Sequence, residues 1–259
     1  MESLMLKVKL SQVLPNPLQL NIECIPGELH ALVGPSGSGK TTALRTIAGL
    51  SNAQTGKIEC DSNIWFEASD IGGTTTALSP AQRSCGFLFQ QYALFPHLSA
   101  LENVCIPLYN SVQAFEKRKA LAQQWLDRMG IGELAKRMPN QLSGGQQQRV
   151  AIARSLVSEA PVILADEPTG NLDSKNAAMV KDLFLQLSES RGVTIALVTH
   201  DEEMAKNFSR QLVMRDGKIV EMGATKEIFS APKTDYTKLL VEAAKLCKKR
   251  VGEDYDQEI

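Results

Sequence analysis

A glycine-rich stretch, GPSGSGKTT at residues 34–42, has the composition of an anion-binding loop. It fits the pattern G-x-x-x-x-G-K-[S/T], in which the glycines let backbone N–H groups turn toward a phosphate chain. Lys40 would then reach the outer phosphates, and the Thr41 hydroxyl would ligate magnesium. The alternative is a flexible turn with an incidental lysine. We expect the whole loop to hold a nucleotide: Gly34, Pro35, Ser36, Gly37, Ser38, Gly39, Lys40, Thr41 and Thr42.

Two carboxylates, Asp166 and Glu167, follow an apolar run with the pattern of a buried strand, PVILAD at residues 161–166. Asp166 would hold the hydration shell of magnesium, and Glu167 would polarise an attacking water. The alternative is a helix cap before Pro168, because acidic residues are common at helix starts. Beside a phosphate loop, the pair predicts hydrolysis of a bound phosphate chain.

The chain has three histidines, and His200 ends another apolar run, VTIALVTH at residues 193–200. Open parallel sheets bind ligands beyond the carboxyl ends of their strands. His200 is therefore expected to contact the terminal phosphate or the attacking water. His30 and His97 have no such placement, and we interpret both as structural.

A second glycine-rich segment, QLSGGQQQR at residues 141–149, also has the composition of an anion cradle. Ser143, Gly144 and Gly145 precede a helix predicted from about Gln146. Their backbone N–H groups, together with the positive end of the helix, can face a phosphate. The chain thus carries two phosphate-binding patterns where one nucleotide needs one.

The elements that must position these residues alternate between strands and helices. Apolar runs predict strands at residues 29–33, 161–166 and 193–200, and helical spacing predicts helices at 41–50, 111–129 and 176–189. Residues 4–10 and 18–25 are expected to be short antiparallel strands, and residues 61–80 a loop insertion. The pattern predicts an α/β fold, with a mainly parallel sheet covered on both faces.

Composition excludes several classes of protein. With 28 basic and 29 acidic residues the formal net charge is -1, which gives no reason to expect a nucleic-acid partner. Five scattered cysteines without C-x-x-C spacing indicate reduced thiols in a cytosolic protein. No run approaches the roughly 20 apolar residues that span a bilayer, and the start lacks the apolar core of a signal peptide. We therefore expect the chain to stay in the cytoplasm.

The segment LSGGQ at residues 142–146 resembles the signature of ATP-binding-cassette (ABC) transporter ATPases, and the likeness extends over nearly the whole chain. Residues 34–41 resemble the Walker A loop, and residues 162–167 resemble Walker B with Glu167 as the catalytic carboxylate. Gln90, in FQQ, is similar to the Q-loop glutamine, a catalytic residue that also ligates magnesium. Asp173, in NLD at residues 171–173, resembles the D-loop aspartate, and His200 the switch histidine.

The resemblance implies a P-loop NTPase fold with a parallel-sheet core, an antiparallel β subdomain and a helical subdomain at about residues 92–155. A single ABC ATPase domain would occupy residues 1–235, followed by a charged C-terminal tail at 236–259. ATP and Mg²⁺ are the implied ligands. In a head-to-tail dimer, the signature residues of one subunit would close over ATP held by the other: Ser143, Gly144, Gly145 and Gln146.

The family also implies partners. The chain would pair with itself or with a paralogous cassette, and an integral membrane permease would dock near residues 92–104. An importer would add an extracytoplasmic solute-binding protein, and the cassette would lie on the inner face of the membrane. No residue is expected to encode the cargo, because such cassettes need not touch what is carried.

The branch of the family stays open. Residues 139–156 and 94–104 are similar to importer subunits for small polar solutes, and residues 223–240 to peptide and nickel importers, whereas LADEPTGNLD resembles lipoprotein-release and efflux ATPases. The short start without an aromatic residue resembles molybdate-type importers. A soluble cassette acting on ribosomes or DNA is the alternative of another class.

Where the family stacks an aromatic ring on adenine, residues 10–20 have none, so Val13 or Leu14 is expected to pack there.

Overall fold

A mixed sheet with helices on both faces forms the architecture of this chain in a computed structural model, which describes residues 6–13, 16–109, 111–112, 114–170, 172–199 and 202–243. The strands in these ranges are β1 (Leu6–Gln12), β2 (Leu18–Cys24), β3 (Leu29–Val33), β4 (Thr55–Cys60), β5 (Asn63–Ser69), β6 (Gly73–Ala77), β7 (Cys85–Leu88), β8 (Val162–Asp166), β9 (Thr194–Val198), β10 (Arg210–Arg215) and β11 (Lys218–Ala224). The helices are α1 (Lys40–Ile47), α2 (Ala100–Cys105), α3 (Phe115–Arg128), α4 (Gly144–Leu156), α5 (Ser174–Arg191), α6 (Glu202–Lys206) and α7 (Thr225–Ser230). The α/β class is confirmed.

The strands join in the order β6-β5-β4-β1-β2-β11-β10-β3-β9-β8-β7. Five of them, from β10 to β7, run parallel, while β1, β2 and β4–β6 pair antiparallel as predicted for the start of the chain. Because parallel strands end at one edge, the segments that follow β3, β7, β8 and β9 meet there. This edge is where the expected chemistry lies.

Apolar side chains cover both faces of the sheet. On one face, α1 packs through Ala43, Leu44 and Ile47 against the parallel strands and the antiparallel sheet. On the other, α3, α4 and α5 share a core that includes Trp125 and Phe184. The helical segment α2–α4 is tied to the sheet through this core.

The expectation of a loop insertion at residues 61–80 is wrong, because β5 and β6 form a hairpin that extends the antiparallel sheet. Trp65 and Phe66 on β5 are buried at 3% and 1% exposure. Burying Phe66 contributes about 1.5–3 kcal/mol. The side chains of β6 are mostly exposed threonines at the sheet edge, so the strand leaves no hydrophobic alternation in the sequence.

Residues 235–243, at the start of the expected tail, are helical, and Thr237 and Val241 are buried. Glu221 on β11 accepts hydrogen bonds from the backbone N–H groups of Lys233 and Thr234, at 2.9 and 3.0 Å. The carboxylate thus ties this segment to the sheet. Residues 244–259 lie outside the described residues. The thiols of Cys24, Cys60, Cys85 and Cys105 are free, in line with the expected reduced state, and Cys247 is not described.

Candidate nucleotide-hydrolysis site

The loop between β3 and α1 has the backbone that its glycines predict. Gly34 and Gly39 have φ values of +151° and +98°, and a Cβ at Gly34 would collide with the Met214 carbonyl. The α1 helix begins at Lys40, so its unpaired N–H groups point toward the loop. The Ser38 hydroxyl is buried without a hydrogen-bond partner among the described residues. An enclosed loop with an orphaned polar atom fits a bound phosphate chain.

Lys40 folds back over this loop. Its Nζ donates to the carbonyls of Gly34 and Pro35, both at 2.8 Å, and the residue is only 6% exposed. Burial lowers the pKa of Lys40, while the carboxylates of Glu167 and Asp166 raise it. The ammonium group therefore lies between the loop and the two acidic residues, where a phosphate chain would attract it.

Thr41 and Asp166 bring two oxygen ligands together. The Thr41 hydroxyl donates to Oδ1 of Asp166 at 3.1 Å, and Asp166 is 3% exposed at the end of β8. Burial raises the pKa of Asp166, and the hydrogen bond from Thr41 opposes that rise. Carboxylate and hydroxyl oxygens are ligands that suit Mg²⁺, so the pair fits the expected metal. In the described residues, no cluster of three or more His, Cys, Asp and Glu side chains offers another metal site.

Glu167 leaves the strand in an unusual backbone conformation. Its φ is +52°, although its N–H still donates to the Val198 carbonyl at 2.9 Å and so continues the ladder with β9. A non-glycine residue at positive φ is strained and is common at functional sites. The turn places Glu167 in the wall of the cleft beside the phosphate loop.

That cleft has a volume of about 550 Å³ and gathers eight of the predicted residues. Gln90 lines it two residues beyond β7, which pairs with β8 through Leu88 and Ala165. The loop and helix contribute Ser36, Gly37, Gly39, Lys40, Thr41 and Thr42. The predicted His200 lies outside the described residues, as does Asn171. The role of His200 therefore stays a prediction from the end of β9.

The second glycine segment lies elsewhere. Among the described residues that line the cleft, none belongs to Ser143–Gln146. Ser143 caps α4, because its hydroxyl accepts from the Gln146 N–H while the Gln146 side chain accepts from the Ser143 N–H at 2.9 Å. Ser143 and Gly144 are exposed. One chain therefore holds a phosphate loop and a separate, solvent-facing helix start.

Asp173, expected in the D-loop, caps the N-terminus of α5. Its carboxylate accepts from the N–H and the side-chain amide of Asn176, both at 2.8 Å. These hydrogen bonds lower its pKa. The structure thus shows the capping role of this residue, and a further role at a subunit interface stays a prediction.

Two buried polar residues on α4 were missed by the sequence analysis. The side-chain amide of Gln148 donates to the Pro168 carbonyl, next to Glu167. Arg154, 8% exposed, donates to the carbonyls of Tyr92 and Ala93, both at 2.7 Å, and burial lowers its pKa to about 10. The sequence held a signal for them, because these polar residues interrupt the apolar face of α4. Their hydrogen-bond partners could not be predicted, because those partners are distant in sequence.

An apolar groove of about 550 Å³ lies beside the segment that follows Gln90. The residues that give it its apolar character include Phe89, Ala93, Phe95, Ile106 and Pro107. The C-terminal ends of α1 and α4 close its other side. The groove therefore touches both the end of the phosphate-loop helix and the α4 helix of the signature segment.

No helix in the described ranges is long and apolar enough to cross a membrane.

A sequence profile of the family described as ABC transporter matches residues 18–170. The chain is 41% identical to the Fe(3+) ions import ATP-binding protein FbpC of Rhizobium etli over 221 residues, which are 85% of this chain and 59% of that protein. It is 40% identical to an uncharacterized ABC transporter ATP-binding protein, YdcT, of Escherichia coli, over 81% of this chain and 60% of that protein. The chain thus spans about three fifths of the length of these relatives.

Solved structures are also similar. A dimeric post-hydrolysis state of the ATP-binding cassette MJ0796 bound to ADP and Pi has a TM-score of 0.73 and 34% sequence identity. The match covers 86% of this chain and 98% of that chain. A second dimeric structure, of the same bacterial ABC transporter cassette, matches with a TM-score of 0.73 and 35% identity. The fold expected from the sequence is therefore confirmed.

Proposed function

The chain belongs to the ABC transporter family, and from that premise we propose that it hydrolyses ATP in a head-to-tail dimer and powers solute import through a membrane permease. One observation carries the proposal: Lys40, Thr41, Gln90 and Glu167 line a single cleft, whereas the signature residues lie outside it, with Ser143 and Gly144 exposed to solvent. A second subunit is the simplest source of what each cleft lacks.

Within one subunit, different residues bind the phosphates, hold the metal and activate the water. The N–H groups of the phosphate loop and of the start of α1 hold the phosphates, and Lys40 leaves its loop carbonyls to neutralise them. Thr41, Asp166 and Gln90 would hold Mg²⁺, which would supply positive charge to the phosphate chain. Glu167 orients a water and accepts its proton as the water oxygen attacks the γ-phosphorus, so that ADP leaves with the bridging oxygen. His200 contacts the γ-phosphate.

Across the dimer, Ser143, Gly144, Gly145 and Gln146 of one subunit close over the phosphates held by the other. The exposed, capped start of α4 supports this role, because its N–H groups and helix dipole favour an anion. Asp173 lies at the same interface. Loss of the γ-phosphate contacts then lets the dimer open.

The apolar groove is the proposed seat of the permease. Exposed apolar surface of this kind marks protein interaction sites. Its position supports coupling, because Arg154 lines it and also holds the segment that follows Gln90. Movement of α4 during dimer closure would therefore reach a segment docked in the groove. The cassette would lie on the inner face of the membrane.

Import is favoured over release or efflux by the relatives, because the Rhizobium etli protein is named for Fe(3+) import. Ferric iron is accordingly the first cargo to test. A solute-binding protein outside the membrane would complete the transporter. The formal net charge of -1 gives no support to a nucleic-acid partner.

The test is to tag the Glu167→Gln variant, purify it from native membranes with ATP and magnesium, and identify what accompanies it. A multi-spanning permease is expected. Recovery of a ribosome or a nucleic acid, or of no membrane protein, would contradict the proposed transport function. It would not contradict the proposed ATP hydrolysis by the wild-type chain.

Two further variants in the same background test the docking site. Phe95→Asp places a charge in the groove and should abolish recovery of the permease. Phe115→Asp is the matched control, because Phe115 on α3 is also exposed, at 52% against 42% for Phe95, and does not line the groove. Equal recovery of the permease with both variants would exclude the groove as its docking site.

A further inference from the structure

One wall of the cleft comes from outside the phosphate loop and the parallel strands. It is formed by Asn16 and Pro17, before β2, and by Asp216 and Gly217, in the turn between β10 and β11. None of the described residues that line the cleft is aromatic, and the first 24 residues of the sequence contain no aromatic residue. Val13, which was expected to pack on the base, is 67% exposed and is not among the lining residues, and Leu14 lies outside the described residues. In the described part of the chain, the contacts available to the base are therefore those of the polar lining.

This wall is fixed directly on the phosphate loop. The Gly217 N–H donates to the Ser38 carbonyl at 2.9 Å, and the Gly217 carbonyl accepts from the Gln19 N–H at 2.7 Å. A Cβ at Gly217 would collide with the Pro17 carbonyl, so the two segments are in close contact. These contacts hold the wall beside the phosphate loop, within reach of the base or sugar of a nucleotide whose phosphates lie in the loop.

Asp216 lies at the rim of the cleft, with its side chain 86% exposed. Its φ is +49°, and its Oδ2 lies 3.4 Å from Nε of Arg215. The Arg215 guanidinium lies 4.9 Å from the ring centroid of Tyr236, at the start of the C-terminal helical segment. The exposed carboxylate is therefore available to a ligand at the rim.

We propose that Asp216 recognises the base, and that the cleft consequently accepts GTP at least as well as ATP. An ionised carboxylate only accepts hydrogen bonds, through two oxygens with two lone pairs each. Guanine presents two adjacent donors, N1–H and the 2-amino group, which match both oxygens. Adenine presents a single amino donor on its pairing edge. The carboxylate therefore gains more from guanine.

This inference rests on the proposed hydrolysis of a nucleoside triphosphate and names the base that the site accepts. The test measures equilibrium binding of ATP and of GTP by competition with a fluorescent nucleotide, and steady-state hydrolysis of each. The key variant is Asp216→Asn, because asparagine tolerates positive φ but replaces one acceptor oxygen with a donor. Asp61→Asn is the matched control, since Asp61 also has a φ of +49° but lies in the β4–β5 turn, away from the cleft.

For the wild type, GTP should bind as tightly as ATP or more tightly. Asp216→Asn should weaken GTP binding roughly tenfold, the scale of a hydrogen bond to a charged group, and ATP binding no more than about twofold. Asp61→Asn should change neither. Binding of ATP alone by the wild type, or equal losses for both nucleotides in Asp216→Asn, would overturn the inference and leave the proposed function standing. Failure of the wild type to bind either nucleotide would overturn both.

Discussion

The Thr41 hydroxyl donates a 3.1 Å hydrogen bond to Oδ1 of Asp166, although 125 positions separate the two residues in the chain. The contact joins the first turn of α1 to the end of β8. It brings a hydroxyl and a carboxylate to one point at the edge of the sheet, beside the phosphate loop. The metal expected from two separate motifs thus has one place to bind.

Replacing Glu167 with glutamine should separate binding from hydrolysis. Without a base to accept the proton of water, turnover should fall at least about a hundredfold, while ATP still binds and holds a dimer. Phosphate release and size-exclusion chromatography with ATP measure the two effects. Glu159→Gln is the matched control, because Glu159 also has a positive φ, +53°, but is paired with Arg191 outside the cleft. Fast turnover in Glu167→Gln would remove Glu167 from its proposed role.

Asp166→Asn should stabilise the nucleotide-free chain at neutral pH. Burial raises the pKa of Asp166 above its ordinary value of 3.8. The folded state therefore favours the protonated form, and the resulting stability is lost as pH rises through the folded pKa. A neutral asparagine avoids that loss, so the melting temperature of the nucleotide-free chain should rise.

The same Asp166→Asn variant should lose the additional stabilisation that Mg²⁺ with ATP confers, because a neutral amide is a poor magnesium ligand. Thermal melts with and without Mg²⁺ and ATP give both quantities. Asp182→Asn, at an exposed position of α5, should leave both unchanged. A lower melting temperature of nucleotide-free Asp166→Asn would contradict the assigned cost of the buried charge.

Ser143→Arg should abolish hydrolysis and leave ATP binding to the monomer intact, because the large cation blocks the exposed start of α4. The change also removes a helix cap, which costs about 1 kcal/mol. Ser99→Arg controls for that loss, since Ser99 caps α2 with the same reciprocal arrangement to Glu102. Hydrolysis should persist in Ser99→Arg. Normal turnover by Ser143→Arg would refute a site shared between two subunits.

Glu221→Gln should reduce the dependence of stability on acid pH. Burial raises the pKa of Glu221, but hydrogen bonds from Thr237, Thr234 and Lys233 outweigh it and hold the pKa at about 2. Stability from this carboxylate is therefore full above the unfolded value of 4.5 and is lost as pH falls toward 2.

Urea unfolding between pH 7 and about pH 2 measures this loss. The variant should be less stable at pH 7, and its curve should approach that of the wild type in acid. Glu227→Gln, an exposed neighbour on α7, should follow the wild type throughout. Parallel curves for Glu221→Gln and the wild type would show that Glu221 does not contribute through its charge.

Much of the site was predictable because its candidate residues occur in short contiguous motifs. The loop that contains Lys40 and the turn after β8 that contains Glu167 each follow a buried apolar strand, and parallel strands bring their carboxyl ends to one edge. The hairpin of β5 and β6 was missed because its outer strand consists of exposed threonines. Such a strand is specified by pairing with its neighbour, and its sequence shows no alternation of apolar and polar residues.

By itself, the sequence determined the α/β class and the glycine-rich loop after β3, and it predicted the hydrolytic residues, because strand, glycine turn and helix are encoded within short segments. Only the tertiary structure decided which other residues surround them. It placed Asp216 in the lining of the cleft, tied Arg154 to the carbonyl of Tyr92, and left Ser143 outside the cleft. Such contacts join residues tens to hundreds of positions apart, and they depend on strand order and helix packing, which local spacing does not encode.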